Sequence, residues 1–180
     1  MELLGALGRW PGVAGRMPRR IPWAKRAFDL VVLVCLTPLL ILPLLFFALL
    51  VFLDSPGPVI YRARRLGLGG RPFPMLKFRT MRTGARGAAV TARNDPRITP
   101  LGSFLRSTRL DELPQLWNVV RGEMRLVGPR PEDEEFVVAH RQDYERILSV
   151  PPGVTGPTQL RFTNAEADLL ADSDDPAAHY

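Results

Sequence analysis

Hydrophobic residues are concentrated in one uninterrupted stretch of the chain. From Leu30 to Leu53 no position is charged. As a straight helix this run is about 36 Å long, enough to cross a hydrocarbon core of about 30 Å. After it the pattern changes to short elements. Ser55-Pro56-Gly57-Pro58 reads as a turn. Val59–Arg64 and Phe73–Phe78 read as strands joined by a turn at Gly67, Gly69 and Gly70, so a hairpin is predicted. Met81–Ala92 has little apolar content and reads as a loop. Thr99-Pro100 gives an N-cap with Pro at the first helical position, and Leu101, Phe104 and Leu105 follow at helical spacing. A second helix is predicted from Asp111, with Leu113, Leu116, Trp117 and Val120 on one buried face and Gly122 as its stop. A last helix is predicted over Glu132–Leu148, acidic first and basic later as the helix dipole favours.

Charge sharpens this picture. Up to Arg82 there are 13 Lys or Arg against 3 acids, and beyond it 11 against 15. The basic excess therefore flanks the apolar run, where it would meet anionic headgroups. No nucleic-acid motif accompanies it, and no nucleic-acid partner is expected. Arg16, Arg19, Arg20, Lys25 and Arg26 precede the run; Arg62, Arg64, Arg65 and Arg71 follow it. Each basic flank prefers the cytoplasmic side, which a single straight span cannot satisfy and a re-entrant segment can. Pro38 and Pro43 predict a kink, and the Thr37 hydroxyl is placed to bond a carbonyl freed there. Spanning and re-entrant arrangements both stay open on these residues. Asp29 and Asp54 bracket the run and are expected to be wet. The segment Leu3–Trp23, with its tryptophans and arginines, is expected in the interface plane. The lone Cys35 excludes an internal disulfide or a Cys-based metal site. His140 and His179 have no neighbours that suggest a ligand or base.

The densest chemistry lies at Asp111-Glu112, with Arg106 and Arg109 before it and Arg121, Arg125 and Arg130 after it. As an N-cap, Asp111 would be favoured in its ionised form. Paired carboxylates among arginines suit a divalent metal and a phosphate, and a carboxylate can attack phosphorus to give an acyl phosphate. Asp is also a preferred N-cap and Glu a common first-turn residue, so a structural role for the pair stays open. Val127-Gly128-Pro129-Arg130-Pro131 holds an arginine between two prolines, which suits an anion anchor and equally a rigid turn.

Several segments, in order, closely resemble the bacterial sugar transferases called monotopic phosphoglycosyl transferases. They are Lys25-Arg26-Ala27-Phe28-Asp29, Thr37-Pro38, Gly57-Pro58-Val59, Lys77-Phe78-Arg79-Thr80-Met81, Asn94-Asp95-Pro96-Arg97-Ile98-Thr99, Asp111-Glu112-Leu113-Pro114-Gln115, Gly128-Pro129-Arg130-Pro131 and Pro152-Gly153-Val154-Thr155-Gly156. The match covers roughly residues 25 to 160. The resemblance implies transfer of a phosphosugar from a UDP-sugar to polyprenyl (undecaprenyl) phosphate, with release of UMP. It implies Asp111 as the nucleophile of a covalent phosphosugar intermediate, assisted by Glu112, with Mg²⁺ held by Asp111 and Glu112. Arg106 and Arg130 would hold phosphate, and Lys77 and Arg79 would lie near the site.

The resemblance also implies a re-entrant helix broken at Thr37-Pro38, both ends at the cytoplasmic face of the bacterial inner membrane. The fold expected is α+β: an interfacial segment (1–24), a Pro-kinked re-entrant membrane helix (25–54), and a small cytoplasmic, largely helical domain with a β-hairpin (55–180), seated on phospholipid. This looks like the small form of the enzyme, and its end at Tyr180 comes early beside many members. A homodimer fits the same surface as well as a monomer does. The contrasting reading is a non-catalytic, membrane-anchored regulator that binds lipid or nucleotide.

Overall fold

The computed structural model describes residues 22–84 and 95–156. The expectations for residues 1–21, most of the 81–92 loop, and the acidic end beyond Gly156 lie outside them. The described elements, in order, are α1 (Trp23–Asp54), β1 (Ile60–Leu66), β2 (Pro72–Phe78), α2 (Pro100–Ser107), α3 (Gln115–Arg121), β3 (Arg125–Val127), α4 (Glu134–Ala139), α5 (Arg141–Ile147) and β4 (Gly153–Thr155). Short 3₁₀ turns lie at Leu68–Gly70 and Leu110–Glu112. The chain is thus mixed helix and strand. Its N-terminal apolar helix is long enough to serve as a membrane anchor. β1 and β2 form the predicted hairpin sheet.

α1 is rich in Leu, Val and Phe, and its helix is continuous through Pro38 and Pro43. The kink expected at Thr37-Pro38 does not interrupt the helix. A proline withdraws one backbone donor from the ladder but does not oblige the ladder to stop. Most of the helix surface has no protein cover: Leu39, Leu42 and Phe52 are all more than 60% exposed.

The described residues divide into two compact units, and α1 and the hairpin each contribute to both. The first holds residues 22–35, 62–75 and 115–156. Its core joins Leu33 of α1 to Ala63, Phe73, Met75, Val119 and Met124, and a smaller cluster joins Leu66, Val137 and Leu148. β3 and β4 pair in parallel, Arg125 opposite Gly153 and Val127 opposite Thr155. This pair was not predicted, because three residues are too few to show alternation. It depends on glycine: a Cβ on Gly153 would lie 2.0 Å from the Gly128 nitrogen. Arg26 donates to the carbonyls of Val119 and Val120, closing the C-terminal end of α3. Gly122 then stops that helix at φ 82°, as predicted.

The second unit holds residues 36–61, 76–84 and 95–114 among those described. Val51, Phe78 and Leu105 form its core, with Leu44, Phe47, Ala48, Leu101, Leu110 and Leu113 packed around them. The predicted cap of α2 is present: Thr99 Oγ1 accepts from the Gly102 N–H at 2.9 Å, and Pro100 is the first helical residue.

Four expectations need correction. Asp29 is not wet: it is 6% exposed and paired with Arg125. The second helix starts at Gln115 rather than Asp111, and its inward face carries Gln115, Asn118 and Val119. Trp117, at 58% exposure, and Val120 point outward instead. Asn118 is tolerated inside because its Nδ2 donates to the Pro74 carbonyl at 2.8 Å and to Glu123 Oε2 at 2.7 Å. The last helix is two helices, divided at His140, whose φ of −114° and ψ of 39° are not helical. Finally, Asp111 does not cap a helix, as described next.

Candidate active site

The carboxylate pair sits on a turn built by a strained residue. α2 ends at Ser107, with Thr108 closing it through hydroxyl bonds to the Phe104 and Leu105 carbonyls. Arg109 then adopts φ 59° and ψ 15°, the only non-glycine residue with positive φ among those described. A bulky side chain there costs roughly 1–2 kcal/mol. The reversal turns the chain directly into the Leu110–Glu112 3₁₀ turn, so Asp111 and Glu112 both face inward, 7% and 8% exposed. Leu110 and Leu113 pack into the core of this unit and fix the turn from either side.

Three cations surround the pair. Lys77, near the end of β2, places Nζ 3.0 Å from Glu112 Oε1. Arg109 Nη1 lies 3.9 Å from the same oxygen. Arg106, in the last turn of α2, donates from Nε to Thr80 Oγ1 at 2.8 Å. Burial pushes the Asp111 carboxyl above its ordinary value; Lys77 opposes this, Glu112 adds to it, and Arg106 and Arg109 oppose it. The expectation of an N-cap that favours the charged form is therefore reversed: Asp111 lies within the turn, and desolvation outweighs the charges of Lys77, Arg106 and Arg109. Burial also pushes the Arg106 guanidinium down, countered by the charges of Asp111 and then Asp95. Asp95 itself is held at about 2 by its bonds from Arg97, whose Nε lies 2.9 Å from each carboxylate oxygen.

Lys77, Arg106, Asp111 and Glu112 are thus gathered in one unit. Arg79 has a different task. Its Nη1 donates to the Pro58 carbonyl at 2.6 Å, and its Nη2 reaches the carbonyls of Val51 and Ser55 and the Ser55 hydroxyl. It caps the C-terminal end of α1, so these donors are committed to carbonyls rather than to an anion. Arg130 belongs to the first unit, where it lines a shallow pocket with Leu66, Tyr144 and Leu148. Thr37 and Pro38 lie mid-helix in α1. The sequence did not single out the roles of Thr80 or the Asp95–Arg97 pair, although both lie within quoted motifs.

The donor set suits Mg²⁺ in the usual protein manner. That ion takes one or two carboxylates and draws its other ligands from substrate phosphates and water. Asp111 and Glu112 supply two adjacent carboxylates, and their mutual repulsion is relieved by added positive charge. Among the described residues there is no group of three His, Cys, Asp or Glu able to cage a metal.

A sequence profile described as Bacterial sugar transferase matches residues 20–174. The chain is 46% identical over 156 residues to the UDP-glucose:undecaprenyl-phosphate glucose-1-phosphate transferase of Escherichia coli (strain K12), covering 81% of this chain and 32% of that protein. It is 43% identical over 153 residues to a protein of the same name from Caulobacter vibrioides, covering 82% and 57% respectively. It is also 40% identical over 157 residues to the UDP-galactose-lipid carrier transferase of Erwinia amylovora, covering 78% and 33%. The chain therefore spans from about a third to somewhat over half the length of these three relatives.

Proposed function

Since this chain belongs to the bacterial sugar transferase family, we propose that it transfers a phosphosugar from a UDP-sugar to undecaprenyl or a related polyprenyl phosphate, releasing UMP. The observation that carries this reading is the buried Asp111-Glu112 pair ringed by Lys77, Arg106 and Arg109. An Asp111 carboxylate oxygen attacks the sugar-bearing phosphorus. The bond from that phosphorus to the bridging oxygen breaks, and its electron pair leaves with UMP. A phosphate oxygen of the lipid then attacks the same phosphorus and expels the carboxylate, giving polyprenyl diphosphate sugar and free Asp111.

Lys77 holds Glu112 beside the nucleophile and lowers the energy of the ionised Asp111. Arg106 binds phosphate oxygens. Asp111 and Glu112 would hold Mg²⁺, whose charge offsets that of the diphosphate. The relatives' names give glucose and galactose as the first sugars to try. Multiple-turnover release of UMP from a panel of UDP-sugars, dependent on lipid and Mg²⁺, tests the reading. UDP binding with no release for any sugar would instead support a regulator.

We place the reaction at the cytoplasmic face of the inner membrane, with α1 re-entrant. The apolar run of α1 is flanked by Lys25 and Arg26 on one side and by Arg62, Arg64 and Arg65 on the other, and each basic flank prefers the cytoplasmic side, which a straight crossing does not satisfy. The outward Trp117 and Val120 suit an interface, where a Trp ring is favoured. In a Cys35→Ser background, single cysteines at positions 23 and 54 should both react with an impermeant maleimide in inverted vesicles and neither in right-side-out ones. Labelling from opposite faces would establish a straight span.

A further inference from the structure

Arg106 spends one nitrogen on the protein, and Thr80 receives it. The Nε–H donates to the Thr80 hydroxyl at 2.8 Å. Among the described residues no hydrogen bond engages the two terminal nitrogens, although the charge of Arg106 is felt by Asp111.

Thr80 is fixed well enough to aim such a side chain. It is 6% exposed. Its carbonyl accepts from the Thr99 N–H at 3.1 Å, and its neighbour Met81 bridges to Ile98 in antiparallel register. Gly102 and Arg106 are four residues apart on α2, so they share a face. That face rests directly on Thr80: a Cβ on Gly102 would lie 2.1 Å from the Thr80 carbonyl oxygen. Backbone is thus held against backbone one turn before the arginine, and the hydroxyl meets the guanidinium from below. A free arginine side chain has many rotamers, and a bond at Nε fixes the plane of its fork.

We propose that Thr80 is a positioning residue for phosphosugar transfer: its hydroxyl holds Arg106 by Nε so that the two terminal nitrogens face the diphosphate of the nucleotide sugar. This rests on the reaction proposed above, but its binding part can be read without turnover.

The test compares Thr80→Val and Thr80→Ser in the full chain. Valine keeps the shape and removes the acceptor; serine keeps the acceptor. Loss of a hydrogen bond to a charged group predicts about a 10- to 100-fold fall in kcat/KM for Thr80→Val. Thr80→Ser should stay within about threefold of wild type, since the acceptor it needs is retained. In an Arg106→Ala background, Thr80→Val should cost nothing more, because it acts through that side chain. A merely structural role would add to the Arg106→Ala loss and would lower the melting temperature in step with activity.

Calorimetric binding of UDP and of inorganic pyrophosphate should follow the same order: wild type and Thr80→Ser alike, Thr80→Val weaker. If that order holds but no UDP-sugar turns over, the positioning role stands and the transfer reaction falls. If Thr80→Val both binds and turns over like wild type, the positioning role falls and the reaction stands. If wild type binds neither UDP nor pyrophosphate, Arg106 has no phosphate to face and the proposal is overturned. Should Thr80→Val fail to fold, the wild-type Arg106 Nε proton decides: slow exchange with water is expected, and fast exchange overturns the proposal.

Discussion

Asp111→Asn is expected to abolish turnover, with a fall in kcat of about 10³-fold or more, the scale on which covalent nucleophiles fail when replaced. The amide has the shape of the carboxylate but cannot attack phosphorus. Wild-type protein given a UDP-sugar and Mg²⁺ without lipid should release a burst of UMP and gain the mass of a phosphosugar on Asp111. The variant should show neither. Activity within tenfold of wild type, or an adduct on Glu112, would refute the assignment.

The pH dependence adds an independent check. Burial raises the Asp111 value, and the nucleophile must be ionised, so kcat/KM should rise with pH through a limb above the usual aspartate range. Lys77 is the largest opposing charge on Asp111. Lys77→Met should therefore move that limb to still higher pH. The same shift has a sign for stability. A carboxylate whose folded value is raised binds its proton more tightly when folded, so stability falls as pH rises from the unfolded value through the folded one. Asp111→Asn removes that loss. It should melt no lower than wild type at neutral pH, which separates loss of chemistry from loss of fold.

What was legible in the sequence was local. The apolar run, the Thr99-Pro100 start of α2, the hairpin and the Gly122 stop each depend on a few neighbouring residues, and each is present. The inward face of α3 is not the apolar face that helical spacing predicts. Gln115, Asn118 and Val119 face inward, and Trp117 and Val120 are left outside. At the site, motif order brought Lys77, Arg106, Asp111 and Glu112 together on the page, but not their contacts. Arg79 lies two residues from Lys77 and serves the end of α1. Alternation along β2 does not distinguish a residue that binds a carboxylate from one that binds carbonyls. The strain at Arg109 also had no signal, since Arg is not a residue expected at positive φ.

The buried pair of Asp29 and Arg125 is the clearest case of a tertiary contact that neither segment announces, and breaking it should have the largest effect on stability. Arg125 Nε lies 2.7 Å from Asp29 Oδ2, with the side chains 7% and 9% exposed. The contact is an ion pair without hydrogen-bond alignment: Asp29 Oδ2 has no hydrogen-bond donor among the described residues, and neither has Arg125 Nη1 an acceptor. Asp29→Leu leaves a buried guanidinium without its counter-charge and should cost about 3–5 kcal/mol. Arg125→Met leaves the carboxylate and should cost a similar amount. Because the pair is imperfectly satisfied, the double variant Asp29→Leu/Arg125→Met should recover to within about 1–2 kcal/mol of wild type. Denaturant unfolding of the four proteins in detergent measures the cycle. Singles that each cost under about 1 kcal/mol would show a pair already solvated in the folded protein. A double variant as unstable as the sum of the singles would show that Arg125 matters for packing β3 against α1, and not for its charge.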